Sequence, residues 1–187
     1  MKITPTSLEG LLIVEPKVFQ DNRGYFMETY HQDRYREYGM TPCFVQDNLS
    51  YSVQGTLRGL HYQIKQPQAK LVQVISGEIY DVAVDIRPES DTFGKWVSVH
   101  LSGTNKQQLF IPEGFAHGFC VISKTALFSY KCSEVYVPRD EGGVLWSDPD
   151  IGIDWPVKNP IISKKDRHYL RLFDILPKNL PVVKNIL

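Results

Sequence analysis

The sequence carries no excess of charge of either sign: 21 Lys and Arg stand against 21 Asp and Glu over 187 residues, a formal net charge of zero. A chain without a basic field does not hold nucleic acid nonspecifically, so any anionic ligand has to be met by locally placed cations. Long apolar runs are missing too. No stretch approaches the ~20 apolar residues that cross a bilayer, and the opening Met1-Lys2-Ile3-Thr4-Pro5 has no apolar core of a leader. Cysteine is scarce, with Cys43, Cys120 and Cys132 odd in number and without C-x-x-C spacing. Reduced core thiols are therefore expected rather than a disulfide framework or a thiolate metal site. These absences exclude nucleic-acid and membrane partners and point to a cytoplasmic protein. Repeats, low-complexity tracts and linkers are also lacking, so residues 1–187 are expected to form a single domain.

Helical periodicity is sparse. One short helix is expected over Gln32 to Tyr38, stopping at Gly39, and another from Ser163, whose spacing to Asp166 fits a capping box. Period-two patterns dominate the rest. Leu71 to Arg87 reads LVQVISGEIYDVAVDIR, with Val72 and Val74 alternating with Gln73, and Gly77-Glu78 breaking two β-rich halves in the manner of a hairpin. Further short strands are expected at Trp96–Leu101, Gln108–Ile111, Gly118–Ile122 and Ala126–Tyr130. Many short strands with helices only near the ends imply an all-β barrel or jelly roll.

In such a barrel, polar residues that interrupt apolar strands line the interior. Arg58, His61 and Gln63 fall in one such interruption, with His61 and Gln63 on one face of an extended strand. Lys70, Asp81 and Tyr130 sit in or beside other strands, and His117 follows the turn-rich Pro112-Glu113-Gly114-Phe115-Ala116.

The pair G-x-H at Gly59 and His61 and P-x-G-x-x-H at Pro112, Gly114 and His117 resembles the two sequence motifs of the cupin superfamily, many of whose members bind a divalent metal. This chain departs from the metal-binding pattern. Gln63 replaces the second His of the first motif, and the residue nearest the carboxylate's place is Lys70, an ammonium with no lone pair to donate. Two histidines remain where three or four ligands are wanted, so no metal is expected.

Within the cupins, an ordered series of segments resembles the dTDP-4-dehydrorhamnose 3,5-epimerase family. It runs F-x-D-x-R-G from Phe19 to Gly24, Phe44 to Asn48, Leu57 to His61, Asp81 to Arg87, Phe93 to Trp96, Ile111 to Gly118, Ser129-Tyr130-Lys131 and Trp146 to Pro149. The resemblance spans about Leu11 to Leu176 and implies a cupin-type jelly roll acting on a dTDP-linked 4-keto-6-deoxy sugar. It implies His61 as the base, Asp166 as the partner that fixes its tautomer, and Tyr130 as the acid that returns a proton to the opposite face. Lys70 suits stabilisation of the enolate oxygen, shared with Arg58 or His117. The chemistry is consistent with these types. Imidazole, with an ordinary pKa near ~6.5, is largely neutral at cellular pH, and phenol, near ~10, is protonated. One base and one acid serve both carbons beside the ketone, so no cofactor is implied.

By the same resemblance Tyr136 stacks on the thymine. Gln46, Asp47 and Asn48 line the nucleotide side with Arg23, Glu28, Glu141 and Lys165, and arginine at 23 and 58 suits a diphosphate. Family members are dimers whose N-terminal strand reaches the neighbour, so Arg23 and Glu28 are expected to serve the partner subunit's site in a homodimer. Other readings of the same residues are an epimerase acting at one carbon, a noncatalytic sugar-nucleotide-binding cupin, and a metal-dependent dioxygenase.

Overall fold

The computed structural model describes residues 1–183. Its strands are β1 (Lys2–Pro5), β2 (Leu12–Glu15), β3 (Val18–Asp21), β4 (Gly24–Met27), β5 (Gln46–Val53), β6 (Thr56–Gln63) and β7 (Lys70–Ser76). They continue as β8 (Glu78–Asp85), β9 (Trp96–Ser102), β10 (Gln108–Ile111), β11 (Phe115–Val121), β12 (Thr125–Cys132), β13 (Glu141–Gly143) and β14 (Ile161–Ile162). One sheet has the order β1-β2-β10-β7-β12-β5; the other runs β13-β6-β11-β8-β9, with β14 parallel to β6. β3 and β4 form a separate two-stranded hairpin. This is the expected all-β, cupin-type double sheet.

Alternation along the strands builds the interior. Val72 and Val74 of β7, Leu109 and Ile111 of β10, and Ala126 and Phe128 of β12 meet Ile79, Ala83, Val99, Leu101, Phe119 and Val121 of the other sheet in one buried cluster. Both outer faces are partly covered. Leu60, Val82, Val84 and Ala116 pack under Leu172, Ile175 and Leu180 of the C-terminal segment, while Val14, Leu71 and Phe110 pack under Tyr35 and Met40.

The segment from Leu71 to Arg87 is not a hairpin. β7 pairs with β10 and β12, whereas β8 pairs with β11 and β9, so the chain passes from one sheet to the other at Gly77. A single linking residue is too short for a hairpin loop, and the alternative is a corner. Gly77 makes it with φ +86°, and a Cβ there would lie 2.1 Å from the Thr125 carbonyl oxygen.

The helices are also shorter than expected. The N-terminal one spans Gln32–Arg36, and Gly39 turns the chain with φ +85°. Among the described residues of the C-terminal region only single 3-10 turns form, including Asp166–His168. Among the described residues no helix is long and apolar enough to cross a membrane.

One irregularity decides which residues share a wall. His61 pairs with His117 but Arg58 pairs with Phe119, so three steps on β6 match two on β11. This β-bulge lies at Gly59, whose φ is +137° and whose Cβ would sit 2.5 Å from the Gly118 Cα. Strict alternation would send Arg58 and His61 to opposite faces; the extra residue returns both to the interior.

Candidate active site

Between the sheets opens a cavity of about 790 Å³, lined from β5, β6, β7, β11 and β12 and closed at one side by residues 161–166. His61 stands on the β6 wall. Its Nε2 lies 2.8 Å from Asp166 Oδ1, and the Asp166 carboxylate, almost wholly buried, also accepts the Gly59 N–H at 3.4 Å. The sequence reading gave Ser163 and Asp166 a capping role, and half of it forms. The Asp166 N–H donates to Ser163 Oγ at 3.1 Å, while the Asp166 side chain turns away to His61.

Burial pushes the Asp166 carboxyl up, but the hydrogen bond and charge of His61, then Gly59 and Ser163, outweigh it and hold the group below the usual carboxylate value. An ionised carboxylate only accepts, so the proton on the shared bond belongs to His61 Nε2. In the neutral ring Nδ1 then keeps the lone pair, and it lies 4.0 Å from Glu141 Oε1. The Tyr169 ring meets the imidazole edge to face at a centroid distance of 5.9 Å.

The opposite wall carries Tyr130 of β12, in line with Phe128 and Cys132. Burial raises the Tyr130 hydroxyl above its ordinary pKa, with Cys132 and Glu141 adding and Arg58 opposing, so the phenol keeps its proton at neutral pH. Lys70, at the start of β7, also lines the cavity. Burial lowers its ammonium pKa, and Cys132, Asp81 and Glu141 act in the opposite direction. His117 Nε2 lies 2.9 Å from both carboxylate oxygens of the fully buried Asp81, and its ring stacks on Phe128. Arg58 is held by the Ser52 hydroxyl at 3.1 Å.

Towards the mouth, Gln46 and Asn48 of β5 face inward and bond to each other at 2.9 Å. Tyr136 donates its hydroxyl to Glu141 at 2.8 Å, and Lys165 binds both Glu141 oxygens at 2.8 Å. Although burial opposes it, Lys165 and Tyr136 keep the Glu141 carboxyl below its ordinary value.

Eleven of the fourteen residues picked from sequence thus line one cavity: His61, Tyr130, Asp166, Lys70, Gln46, Asn48, Arg58, His117, Tyr136, Glu141 and Lys165. Three do not. Asp47, between two inward neighbours on β5, points outward and pairs with Lys131 at 2.8 Å. Arg23 pairs with Asp21 at the tip of the β3–β4 hairpin, and Glu28 pairs with Arg34. Sequence reasoning missed Tyr169 and Ser50. Ser50 follows Gln46 and Asn48 on the same face of β5, a period-two signal that was available, and its buried hydroxyl has no hydrogen-bond partner among the described residues. Nothing local marks Tyr169, which reaches His61 only through the fold.

The donor set does not suit a cupin metal. Among the described residues no group of three or more His, Cys, Asp or Glu side chains is placed to hold an ion, and the Gln63 carboxamide is engaged with loop backbone.

A double sheet with a carboxylate-backed imidazole on one wall, a protonated phenol on the other and cations between them defines a cupin-type proton-transfer enzyme. The dTDP-4-dehydrorhamnose 3,5-epimerase family model matches residues 5–174, and the chain belongs to that family. It is 56% identical over 167 residues to dTDP-4-dehydrorhamnose 3,5-epimerase of Methanothermobacter thermautotrophicus, covering 88% of this chain and 90% of the relative. The Shigella flexneri enzyme of the same name is 55% identical over 168 residues, covering 89% and 93%. The crystal structure of dTDP-6-deoxy-D-glucose-3,5-epimerase from Legionella pneumophila in complex with dTDP-4-keto-L-rhamnose superposes with a TM-score of 0.95 at 49% identity over 98% of both chains.

The Asp166 carboxyl lies lower in the folded chain than in the unfolded one. Its contribution to stability is therefore present above the unfolded value of about 3.9 and disappears as pH falls through the folded value. Thermal melts of wild type and Asp166→Asn between pH 7 and pH 3 are expected to differ at neutral pH, with the gap closing in acid. A gap that stays constant over that range would contradict the assignment.

Proposed function

We propose that the chain is a dTDP-4-dehydrorhamnose 3,5-epimerase, converting dTDP-4-dehydro-6-deoxy-D-glucose to dTDP-4-dehydro-L-rhamnose in the formation of dTDP-L-rhamnose. The observation that carries the reading is the 2.8 Å bond from Asp166 to His61 Nε2, which leaves Nδ1 as a base in a cavity that also holds Tyr130.

A hydrogen on carbon next to a ketone is weakly acidic, so its removal needs a positioned base and stabilisation of charge on the carbonyl oxygen. His61 Nδ1 takes the proton, and the imidazolium formed is stabilised by Asp166 and by the nearby Glu141 carboxylate. The electron pair moves onto the ketone oxygen, where the Lys70 ammonium stabilises the enolate more than it does the neutral ketone. Tyr130 then delivers its phenolic proton to the carbon from the opposite wall, and the centre is inverted. Once the imidazolium has released its proton to water and the Tyr130 phenolate has taken one back, repetition at the second flanking carbon gives the doubly inverted product.

At the mouth, Tyr136, Gln46, Asn48 and Lys165 receive the nucleoside, and Arg58 meets the diphosphate. We also infer a homodimer. The β3–β4 hairpin exposes Phe19, Tyr25 and Phe26, apolar rings that favour cover by a second copy, and it carries Arg23 outside its own cavity. In that arrangement Arg23 and Glu28 complete the neighbouring site. Against the expectation of core thiols Cys43 is exposed, while Cys120 and Cys132 are buried; all three are free, which fits the reducing cytoplasm.

In D2O, wild type is expected to place deuterium at both carbons flanking the ketone. His61→Asn should stop exchange, with a loss of at least about 10²–10⁴-fold. Tyr130→Phe should still exchange label without net inversion, since the base remains and the acid is gone. Unchanged exchange in His61→Asn would remove His61 from the mechanism. If Arg23 serves the neighbouring site, Arg23→Ala and His61→Asn chains mixed and allowed to exchange should recover activity, up to about a quarter of wild type in statistical heterodimers. Recovery of none would place Arg23 outside the shared site.

A further inference from the structure

Gln63 stands where metal-binding cupins place a histidine, and its side chain is engaged in an unexpected way. It shares the inner face of β6 with His61 and is 2% exposed. Its Oε1 accepts the Val137 N–H at 2.6 Å, and its Nε2 donates to the Gln66 carbonyl at 2.9 Å and, over a longer 3.4 Å, to that of Val135. One carboxamide therefore holds the backbone on both sides of Tyr136.

The reason lies in the topology. β12 ends at Cys132, and from there the chain leaves the sheet, so residues 134–137 lose the ladder that satisfied their backbone groups. Side chains from elsewhere replace it. The Gln68 amide donates to the Glu134 carbonyl at 2.7 Å and Gln46 Oε1 accepts the Tyr136 N–H at 2.8 Å, with Gln63 spanning the residues between. A carboxamide is the uncharged planar group that offers a donor and an acceptor together, which is what a segment presenting alternate C=O and N–H groups requires. A glutamate of the same shape would keep the bond to Val137 but turn a negative charge towards two carbonyl oxygens.

We propose that Gln63 is a positioning residue for nucleotide binding: it fixes the Tyr136 segment at the cavity mouth and acts on the substrate through Tyr136. The inference builds on the reading of Tyr136 as a nucleoside contact. Because His61 and Gln63 are two residues apart on one strand, the base and the anchor of the nucleoside-binding loop are held at about 7 Å, the length of two strand residues. Gln63 therefore governs affinity and leaves proton transfer to His61 and Tyr130.

The test measures dTDP affinity by calorimetry, together with KM and kcat, for wild type, Gln63→Met, Tyr136→Ala and the double variant, with melting curves for each. Gln63→Met keeps the length of the side chain and removes its hydrogen bonds. It is expected to raise the dTDP Kd and KM about ten-fold, a loss the size of one or two hydrogen bonds, with kcat within about three-fold of wild type. The double variant should bind no more weakly than Tyr136→Ala alone, because both changes remove one contact. If Gln63→Met does not fold, Gln63→Glu takes its place and is expected to show the same split between KM and kcat. A variant with a lowered melting temperature but wild-type Kd would overturn the proposal, as would additive losses in the double variant. Wild-type dTDP affinity in Tyr136→Ala would overturn the reading of Tyr136 and the inference with it, whereas weakening by Tyr136→Ala but not by Gln63→Met would overturn the inference alone.

Discussion

The bond between Asp166 and His61 is the constraint on which the rest of the site depends. An imidazole free to rotate or to change tautomer is a poor base, since its lone pair points at the reacting carbon only part of the time. Asp166 removes that freedom. Its own position comes from the 3-10 turn at Asp166–His168, from Ser163 on its backbone and from the Gly59 N–H on its carboxylate. The acid is thus tied both to the C-terminal segment and to the strand that carries the base. Parts of the chain more than a hundred residues apart are joined at one proton.

Around that bond the fold separates tasks by wall. In the proposed mechanism β6 supplies the base and β12 the phenol, so a proton leaves on one side of the cavity and returns from the other. A flat ring between two sheets can be inverted in this way without turning over. The bulge at Gly59 adds Arg58 to the base's wall, and β7, which starts at Lys70 in the opposite sheet, hands the chain back to the base's sheet at the Gly77 corner. The carboxylates are distributed with equal economy: Asp166 behind His61, Asp81 behind His117, and Glu141 shared by Tyr136 and Lys165.

Much of this was legible in the sequence, and the parts that were not have physical reasons. Period-two alternation located β9 and β12 closely because each has one face in the core, whereas β10, buried on both faces, shows as a short apolar run. It could not tell a hairpin from a corner between β7 and β8, because alternation reports which face is buried and not which strand lies alongside. The bulge was invisible for a similar reason, and Arg58 joined His61 in the sequence reading by proximity in the chain alone. The cupin and epimerase motifs supplied residues that meet in the cavity, including Asp166, which local pattern would have left as a helix cap. The resemblance assigned Arg23 and Glu28 to a partner subunit's site, in keeping with their position away from this chain's own cavity, whereas Asp47 was carried along by its inward neighbours although strand parity turns it out. Gln63 was read as an inward neighbour of His61 and as a missing metal ligand; its partners at Val135 and Val137 come from a loop some seventy residues away and leave no local signal.

The orientation of one imidazole remains the decisive quantity, and nitrogen-15 NMR of the His61 ring at neutral pH reads it directly. The account predicts a protonated Nε2 and an unprotonated Nδ1 in wild type, with that preference weakened in Asp166→Asn. A wild-type ring protonated on Nδ1 alone would contradict it, because the nitrogen assigned to take the substrate's proton would already hold one.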